Sequence, residues 1–420
     1  MKAKAAKYIG LFTNRRMAVM VLLGISSGLP LSLTGTTLQA WMTVTGVNLR
    51  TIGIFSLVGL PYTLKFLWSP FMDRFLPPVL GRRFGRRRSW ILVTQALLFA
   101  CTCMIAQISP KETPLLMAAL ALSLAFFSAS QDIVIDAYRT DVLHEKERGL
   151  GSAIFVTGYR IGMLFSGALA MIMGDHIGWP ATYLVMAGLL IIGVGAALVS
   201  PEPETAPRPP RDMEEAVFGP LKDYFSRESA VPILLLIILY KLGDAYAGTM
   251  TTAFLIRGIG FTPTDVGTVN KGLGLISLII GATLGGTLMV RLGLFRSLLI
   301  FGILQAVSIL SFVFLAWVGK SYPVMIGAVA FENLTGGMGT AAFLAMLMTL
   351  CNQRYSATQF ALLSSLAALG RVFITPTSGY VVEAIGWPWF FLVATATALP
   401  GLLLLTSLRR TIEGLQQSCS

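Results

Sequence analysis

Apolar runs long enough to cross a bilayer recur along almost the whole chain, separated by short polar or basic connections. A hydrocarbon core asks for about 20 apolar residues of helix. Runs of that kind lie near 17–44, 51–73, 89–108, 114–138, 149–174 and 180–199. A second set follows near 230–256, 263–290, 296–318, 322–350, 356–382 and 388–408. The pattern predicts an all-α membrane protein with twelve transmembrane helices in two six-helix, pseudo-symmetric halves. The interval between the sets differs in kind. It opens Pro201-Glu-Pro-Glu-Thr-Ala-Pro-Arg-Pro-Pro210, stiff and extended, and then places Val217, Phe218, Leu221, Tyr224 and Phe225 at helical spacing. That spacing predicts a short helix lying on the inner membrane surface. The expected organisation is a first bundle over 1–199, a cytoplasmic linker over 200–229 and a second bundle over 230–420.

The two sets read as copies. Ser27-Gly28 followed by Thr36-Thr37-Leu38 lines up with Leu242-Gly243 followed by Thr251-Thr252-Ala253. Thr51-Ile-Gly53 aligns with Asp265-Val-Gly267, Arg160 with Arg371, and Gly178-Trp179 with Gly386-Trp387. The offset drifts only from 215 (Gly28 to Gly243) to 208 (Gly178 to Gly386), an ordered set that chance does not maintain. Two six-helix repeats related by an axis along the membrane normal are a transporter design, with the substrate expected at their interface.

Composition agrees with a membrane location. The chain is 55% hydrophobic and 12% charged, against about 25% charged in a soluble domain. Its mean hydropathy is +0.74. A net charge of +12 would suggest nucleic acid in a soluble protein, but here the cations sit in alternate connections. One side carries Lys2, Lys4, Lys7, Arg15, Arg16, Arg74, Arg82, Arg83, Arg86, Arg87, Arg88, Arg291, Arg296, Arg409 and Arg410, among others. The other side carries only Arg50, Lys111, Arg257 and Lys320. The positive-inside rule then puts both termini in the cytoplasm. The apolar stretch after the basic N-terminus is too long for a signal peptide and is kept as the first span. Cys101, Cys103, Cys351 and Cys419 show neither a disulfide framework nor metal-ligand spacing, and His144 and His176 fall in loops. No metal, cofactor or nucleic acid is expected.

Candidate chemistry lies where ionisable residues interrupt apolar helix. Phe127 to Arg139 places Gln131, Asp132 and Asp136 inside the fourth span. The two acids are four apart and share one helical face, about 6 Å from each other. A carboxylate at mid-membrane costs about 2.5–3.5 kcal/mol, so such a residue faces a cavity or a partner. Arg139, three residues on, neutralises Asp136 within its own helix. Asp132 has no cation at that spacing, and so either finds one on another helix or spends part of its life protonated. It is read as a proton carrier, with a buried ion pair that fixes helix packing as the alternative. Glu332 stands in the same position in span ten. Lys241 and Asp244 are three apart on span seven; they either neutralise each other or contact a ligand. Arg160 and Arg371, matched across the repeat, brace their halves or clamp carboxylates bidentately. Lys65, Asn270, Lys271 and Asn333 complete the charged and amide inventory. Gln39, Gln131 and Tyr240 offer hydrogen bonds and stacking surface, against the plainer reading of packing.

After span two, Trp68-Ser-Pro-Phe-Met-Asp73-Arg74 and the basic run from Gly81-Arg-Arg83 to Gly85-Arg-Arg-Arg88 resemble a loop signature, Gly-x-x-x-Asp-Arg-x-Gly-Arg-Arg. That signature belongs to the major facilitator superfamily. The resemblance implies that Asp73 and Arg74 gate the cytoplasmic side. In the second half Val290-Arg291 replaces the Asp-Arg pair. Longer strings resemble the muropeptide-permease family within it. They are Gly28-Leu-Pro-Leu-Ser-Leu-Thr34, Lys65-Phe-Leu-Trp-Ser-Pro70, Ser128-Ala-Ser-Gln-Asp-Ile133, Leu239-Tyr-Lys-Leu-Gly-Asp244, Phe331-Glu-Asn333 and Ser356-Ala-Thr-Gln-Phe-Ala361. Leu60-Pro61 departs from that family, standing where a polar Gln is expected.

The family implies a monomeric, multi-pass carrier in the bacterial inner membrane. It is expected to import GlcNAc-1,6-anhydro-MurNAc and its peptide-bearing forms with protons, feeding cell-wall recycling and β-lactamase induction. Proton coupling falls to Asp132, Asp136, Asp244 and Glu332. Substrate binding falls to Lys65, Gln39, Gln131, Arg160, Tyr240, Lys241, Asn270, Lys271, Asn333 and Arg371. A facilitator for another sugar, organic anion or drug is the nearest alternative. An intramembrane aspartyl protease needs Gly-x-Gly-Asp, which Lys241-Leu-Gly-Asp244 fails at its first glycine. No channel-filter loop is present either.

Overall fold

A computed structural model describes residues 15–77, 80–143, 148–201, 229–350 and 356–417, which are helical almost throughout and contain no strand. The helix expected over 217–225, the side chain of Asp73 and the signature residue Arg82 lie outside what is described. The first span is α1 (Arg15–Thr34) and α2 (Thr36–Val44), interrupted at Gly35. The second is broken: α3 (Leu49–Ile54), a 3-10 turn over Phe55–Gly59, α4 (Leu60–Leu64), a 3-10 turn over Lys65–Leu67, and α5 (Ser69–Arg74). Pro61 and Pro70 cannot donate to the preceding turn, so each starts a new helix instead of continuing the old one. Then come α6 (Arg86–Ile105), α7 (Pro114–Val142), α8 (Arg148–Leu164), α9 (Ala170–Ile177) and α10 (Trp179–Val199). The rest of the chain forms α11 (Ala230–Tyr240), α12 (Leu242–Ala253), α13 (Gly274–Leu292), α14 (Leu294–Val318) and α15 (Tyr322–Thr349). Last are α16 (Ser356–Ile374), α17 (Ser378–Ile385), α18 (Trp387–Ser407) and α19 (Arg409–Gln417).

Nine stretches among the described residues are long and apolar enough to cross a membrane. The other three expected spans, the second, tenth and eleventh, are helical but fall outside that group. The second is broken as above. In the tenth, the polar stretch from Glu332 to Gly339 dilutes the apolar character of α15. The eleventh, which includes side chains outside the described residues, also passes through a 3-10 turn at Thr375–Thr377.

The described residues fall into two compact units. One comprises the chain up to Gly46 and from Val58 to 201; the other comprises Val47–Leu57 and the residues from 229 on. The first unit is keyed by a glycine crossing. A Cβ at Gly28 would lie 2.1 Å from the Tyr159 carbonyl oxygen, and one at Gly162 would lie 2.3 Å from that of Ile25. Gly24, Gly28, Gly158 and Gly162 thus form paired small-xxx-small faces through which α1 and α8 approach backbone to backbone. The second unit repeats the device between α13 and α15, where a Cβ at Gly281 would lie 2.0 Å from the Leu334 carbonyl oxygen and one at Gly337 would lie 2.2 Å from that of Leu278. Within this unit α3 packs on α17: Arg50 Nε lies 2.6 Å from Glu383 Oε2, and the Leu49 amide donates to Glu383 Oε1 at 3.1 Å.

The duplication is visible in local backbone. Gly178 and Gly386 start the sixth and twelfth spans at φ 84° and 80°, each followed by Trp-Pro. Gly85 and Gly293 start the third and ninth at φ 74° and 77°. Glycine alone takes that region without strain.

Candidate functional site

Each unit holds a set of ionisable side chains in membrane-spanning helix. In the first, α7 carries Asp132 and Asp136 one turn apart. Asp136 meets two cations: Arg139 Nη2 lies 3.2 Å from Oδ1 and Lys65 Nζ lies 3.7 Å from Oδ2. Arg139 is held by the Phe155 ring, 4.7 Å beneath its guanidinium. Asp132 is treated differently. The Ser27 hydroxyl, presented by α1, donates to its Oδ1. Among the described residues no cation comes within ion-pair distance of Asp132, though Lys65, Tyr62 and Tyr159 are its electrostatic neighbours. The α1–α8 glycine crossing sets this geometry, because it brings Ser27 and Tyr159 to the same level. Arg160, next in sequence to Tyr159, makes no ion pair or side-chain hydrogen bond among the described residues. It is half-buried.

Beneath Asp132 lies a dry amide knot. Gln95 Nε2 donates to Gln131 Oε1 at 2.7 Å and also to the Ser26 hydroxyl. Gln131 is 0% exposed. Gly193 on α10 leaves room for the knot, since a Cβ there would lie 2.3 Å from Gln95 Nε2. The structure therefore places Gln131 in packing. Tyr240 is placed similarly: it is buried, donates to the Leu298 carbonyl at 2.9 Å and stacks on Phe343 at 5.7 Å. Gln39 lies half-buried on α2.

In the second unit Lys241 sits at the break between α11 and α12 with φ −100° and ψ 4°. Freed from regular helix, its Nζ reaches Asp244 Oδ2 at 3.3 Å and the Gly336 carbonyl at 3.4 Å. Glu332, on α15 beside Gly336, accepts from Asn333 Nδ2 at 2.8 Å. Lys271 and Asn270 occupy a π-helical stretch, Val266–Leu273. Such wide turns are rare and often sit at functional sites. Lys271, Lys241 and Asp244 are the charged neighbours of Glu332, and Arg371 on exposed α16 surface is an electrostatic neighbour of Asp244. The structure thus assembles Lys241, Asp244, Lys271, Glu332 and Asn333, with Arg371 at their edge.

The superfamily model headed Major Facilitator Superfamily matches residues 20–375. The chain belongs to the major facilitator superfamily. Within it, the chain is 54% identical over 410 residues to the anhydromuropeptide permease of Escherichia coli (strain K12), covering 97% of this chain and 83% of that protein. It is 34% identical to the putative transporter AmpG 4 of Rickettsia conorii, covering 96% and 99%. Among solved structures, a bacterial homologue of the human lysosomal transporter Spinster superposes with a TM-score of 0.76 at 12% identity, over 96% of this chain and 99% of that one. The nucleoside transporter NupG superposes at 0.73 and 15%, over 94% and 99%. At those identities the superpositions speak for the fold alone. The protein is a multi-pass membrane transporter of facilitator fold, and not an enzyme.

Three residues that meet charged partners on other helices carry little signal in sequence. Ser27 and Tyr159 are single polar positions in apolar helices, distinguished only by the acid they meet on α7. Glu383, the partner of Arg50, lies 333 residues away in the chain. Only the rarity of an acid in an apolar run marks it out.

Proposed function

We propose that the chain is a proton-coupled symporter. It carries GlcNAc-1,6-anhydro-MurNAc and its peptide-bearing forms from periplasm to cytoplasm across the bacterial inner membrane. The observation that carries the proton part is Asp132: a carboxyl in membrane helix whose partner is the Ser27 hydroxyl, while its neighbour Asp136 takes both nearby cations. A carboxyl without a cation moves between charged and neutral forms at modest cost, which a proton carrier needs. The anhydromuropeptide permease, identical at more than half of the aligned positions, supports the choice of cargo. The side-chain inventory supports it too. Such fragments bear carboxylates, hydroxyls and acetamides. Arg160, Lys271 and Arg371 offer cations, and Asn270 and Asn333 offer amides.

In this reading Asp132, with Asp244 and Glu332 as partners in the second unit, takes protons from the periplasm. Cations gather the carboxylates, and the neutralised load is easier to carry past apolar surroundings. The two sequence repeats are bundles over 1–199 and 230–420 joined by a cytoplasmic linker over 200–229. Asp73 and Arg74 gate the cytoplasmic side. Both termini face the cytoplasm, and a single chain is the working unit.

Vesicles containing the purified protein test the assignment. Labelled disaccharide and disaccharide-peptide are expected to accumulate when the outside is acidified, with no competition from excess hexose, organic anion or drug. Equal competition by one of those solutes would transfer the protein to another cargo.

A further inference from the structure

We propose that the gap beside Gly336, edged by Gln305, Lys241 and Asp244, is a subsite for a 2-acetamido group. The sugar that bears the group comes from the muropeptide-carrier reading; the site itself rests on the second unit alone. Gln305 stands near the middle of α14 and is 6% exposed. Its carboxamide lies on the glycine face of α15: a Cβ at Gly339 would run into it, and one at Gly336 would lie 3.8 Å from Nε2. That nitrogen has no hydrogen-bond partner among the described residues. The hydroxyls on the same face are spent, Thr335 Oγ1 on Ser308 Oγ at 3.0 Å and Thr340 Oγ1 on the Gly336 carbonyl at 2.7 Å. Buried amide groups are nearly always paired, so an unpaired one calls for a partner that comes from outside. In the first unit the protein supplies that partner itself, since Gln95 Nε2 finds Gln131 Oε1 at 2.7 Å.

A ligand also needs room. Gly336 is buried, yet among the described residues of other helices a Cβ there would meet only Gln305 Nε2 within 4 Å. At its neighbour Gly337 a Cβ would lie 2.7 Å from the Ala282 amide nitrogen, so the room is particular to Gly336. The other edge of the gap is the break at Lys241. Nζ donates to the Gly336 carbonyl at 3.4 Å and to Asp244 Oδ2 at 3.3 Å. An ammonium has three donors, so one remains for a ligand. The Asp244 side chain is 29% exposed against 11% for Lys241, which makes this the edge from which a ligand enters. Two N–H donors thus border one turn of α15, and they ask for an acceptor oxygen. A neutral carbonyl suits them better than a carboxylate, which would compete with Asp244 for the same ammonium. The floor is a bare glycine Cα with space for one carbon, the size of a methyl. A carbonyl that bears a methyl is an acetamide, and its N–H has the Asp244 carboxylate to donate to. GlcNAc and anhydro-MurNAc each carry one.

Two measurements on the full chain in detergent test this. The first compares binding of GlcNAc-1,6-anhydro-MurNAc with that of an analogue carrying hydroxyls in place of its 2-acetamido groups. Wild type should prefer the acetamido form by about tenfold. Gln305→Met keeps the length of the side chain and removes its donor, and should collapse that ratio to about one. Gly336→Ala should do the same by standing where the methyl would, while the hydroxyl analogue binds as it does to wild type. Either variant keeping the wild-type ratio overturns the subsite. The second measurement is the thermal midpoint, which a packing role would move. Gln305→Met loses an unpaired amide, and Gly336→Ala adds a carbon at ordinary contact distance, so both midpoints should stay at or above that of wild type. A clear fall in Gln305→Met would mean that the amide is bonded within the protein, and the assignment would fail. A wild type that binds both compounds equally ends the subsite and leaves the cargo reading standing. A wild type that binds neither removes the cargo reading, and the subsite goes with it.

Discussion

Two carboxylates one turn apart on the same helix are given opposite surroundings, and the proposed roles rest on that difference. Asp136, between Lys65 and Arg139, is neutralised in place, whereas Asp132 is left with a hydroxyl. Arg160, with no carboxylate partner of its own among the described residues, is argued above to receive acidic cargo. Arg160→Ala is therefore expected to weaken uptake of the peptide-bearing acidic fragments about tenfold more than that of a neutral sugar analogue, as loss of a bidentate guanidinium–carboxylate pair should. Equal losses on both would make Arg160 a brace. Half of this layout is legible in the sequence. The spacing from Asp136 to Arg139 is local and can be read directly, as can the isolation of Asp132 within its own helix. Lys65 and Ser27 come from other helices, and no periodicity reveals which acid they serve. Gln131 shows the opposite failure. A polar side chain next to a membrane-embedded acid looks like a ligand in sequence, but its amide is buried in a knot with Gln95 and Ser26.

At the level of elements, glycine faces do the positioning. The α1–α8 crossing holds Ser27 against Asp132, so widening it should disturb folding and site together. Gly28→Val places branched carbon where a Cβ already lies 2.1 Å from a carbonyl oxygen. A loss of about 1–3 kcal/mol in stability is expected, read as a lowered thermal midpoint in detergent. Gly188→Val on α10, where a Cβ meets nothing within 4 Å, should leave the midpoint unchanged and serves as the control. The apolar runs made the helices themselves predictable, with ends within a few residues of those observed. Their interruptions were not predictable. These are the π-helical stretches at Phe165–Leu169, Phe254–Ile259 and Val266–Leu273, and the turn at Lys241. A π turn adds one residue to a helical turn without changing its apolar character, so hydrophobicity does not mark it. The break at Lys241 matters most, because it lets a lysine leave the helical path and reach Asp244 and Gly336.

At the scale of the molecule, the duplication was readable because it survives in backbone-determining residues. Gly178-Trp179-Pro180 and Gly386-Trp387-Pro388 start equivalent helices with nearly the same positive φ. Side-chain chemistry has diverged meanwhile: the first unit leaves Asp132 on a hydroxyl, and in the second Asp244 pairs with Lys241 while Glu332 accepts from Asn333. Orientation in the bilayer rests on the distribution of arginine and lysine. In a background without the 4 native cysteines, Lys111→Cys and Lys320→Cys should react with a membrane-impermeant maleimide added outside, and Arg296→Cys only after permeabilisation. The reverse pattern would invert the proposed topology.

Asp132 is proposed above to carry the transported proton. That role is tested most directly by comparing two modes of transport in vesicles containing Asp132→Asn. Accumulation of labelled disaccharide driven by an imposed pH step is expected to be abolished. Counterflow exchange of labelled for unlabelled disaccharide, which needs no net proton movement, should continue. Undiminished pH-driven accumulation by Asp132→Asn would contradict that role.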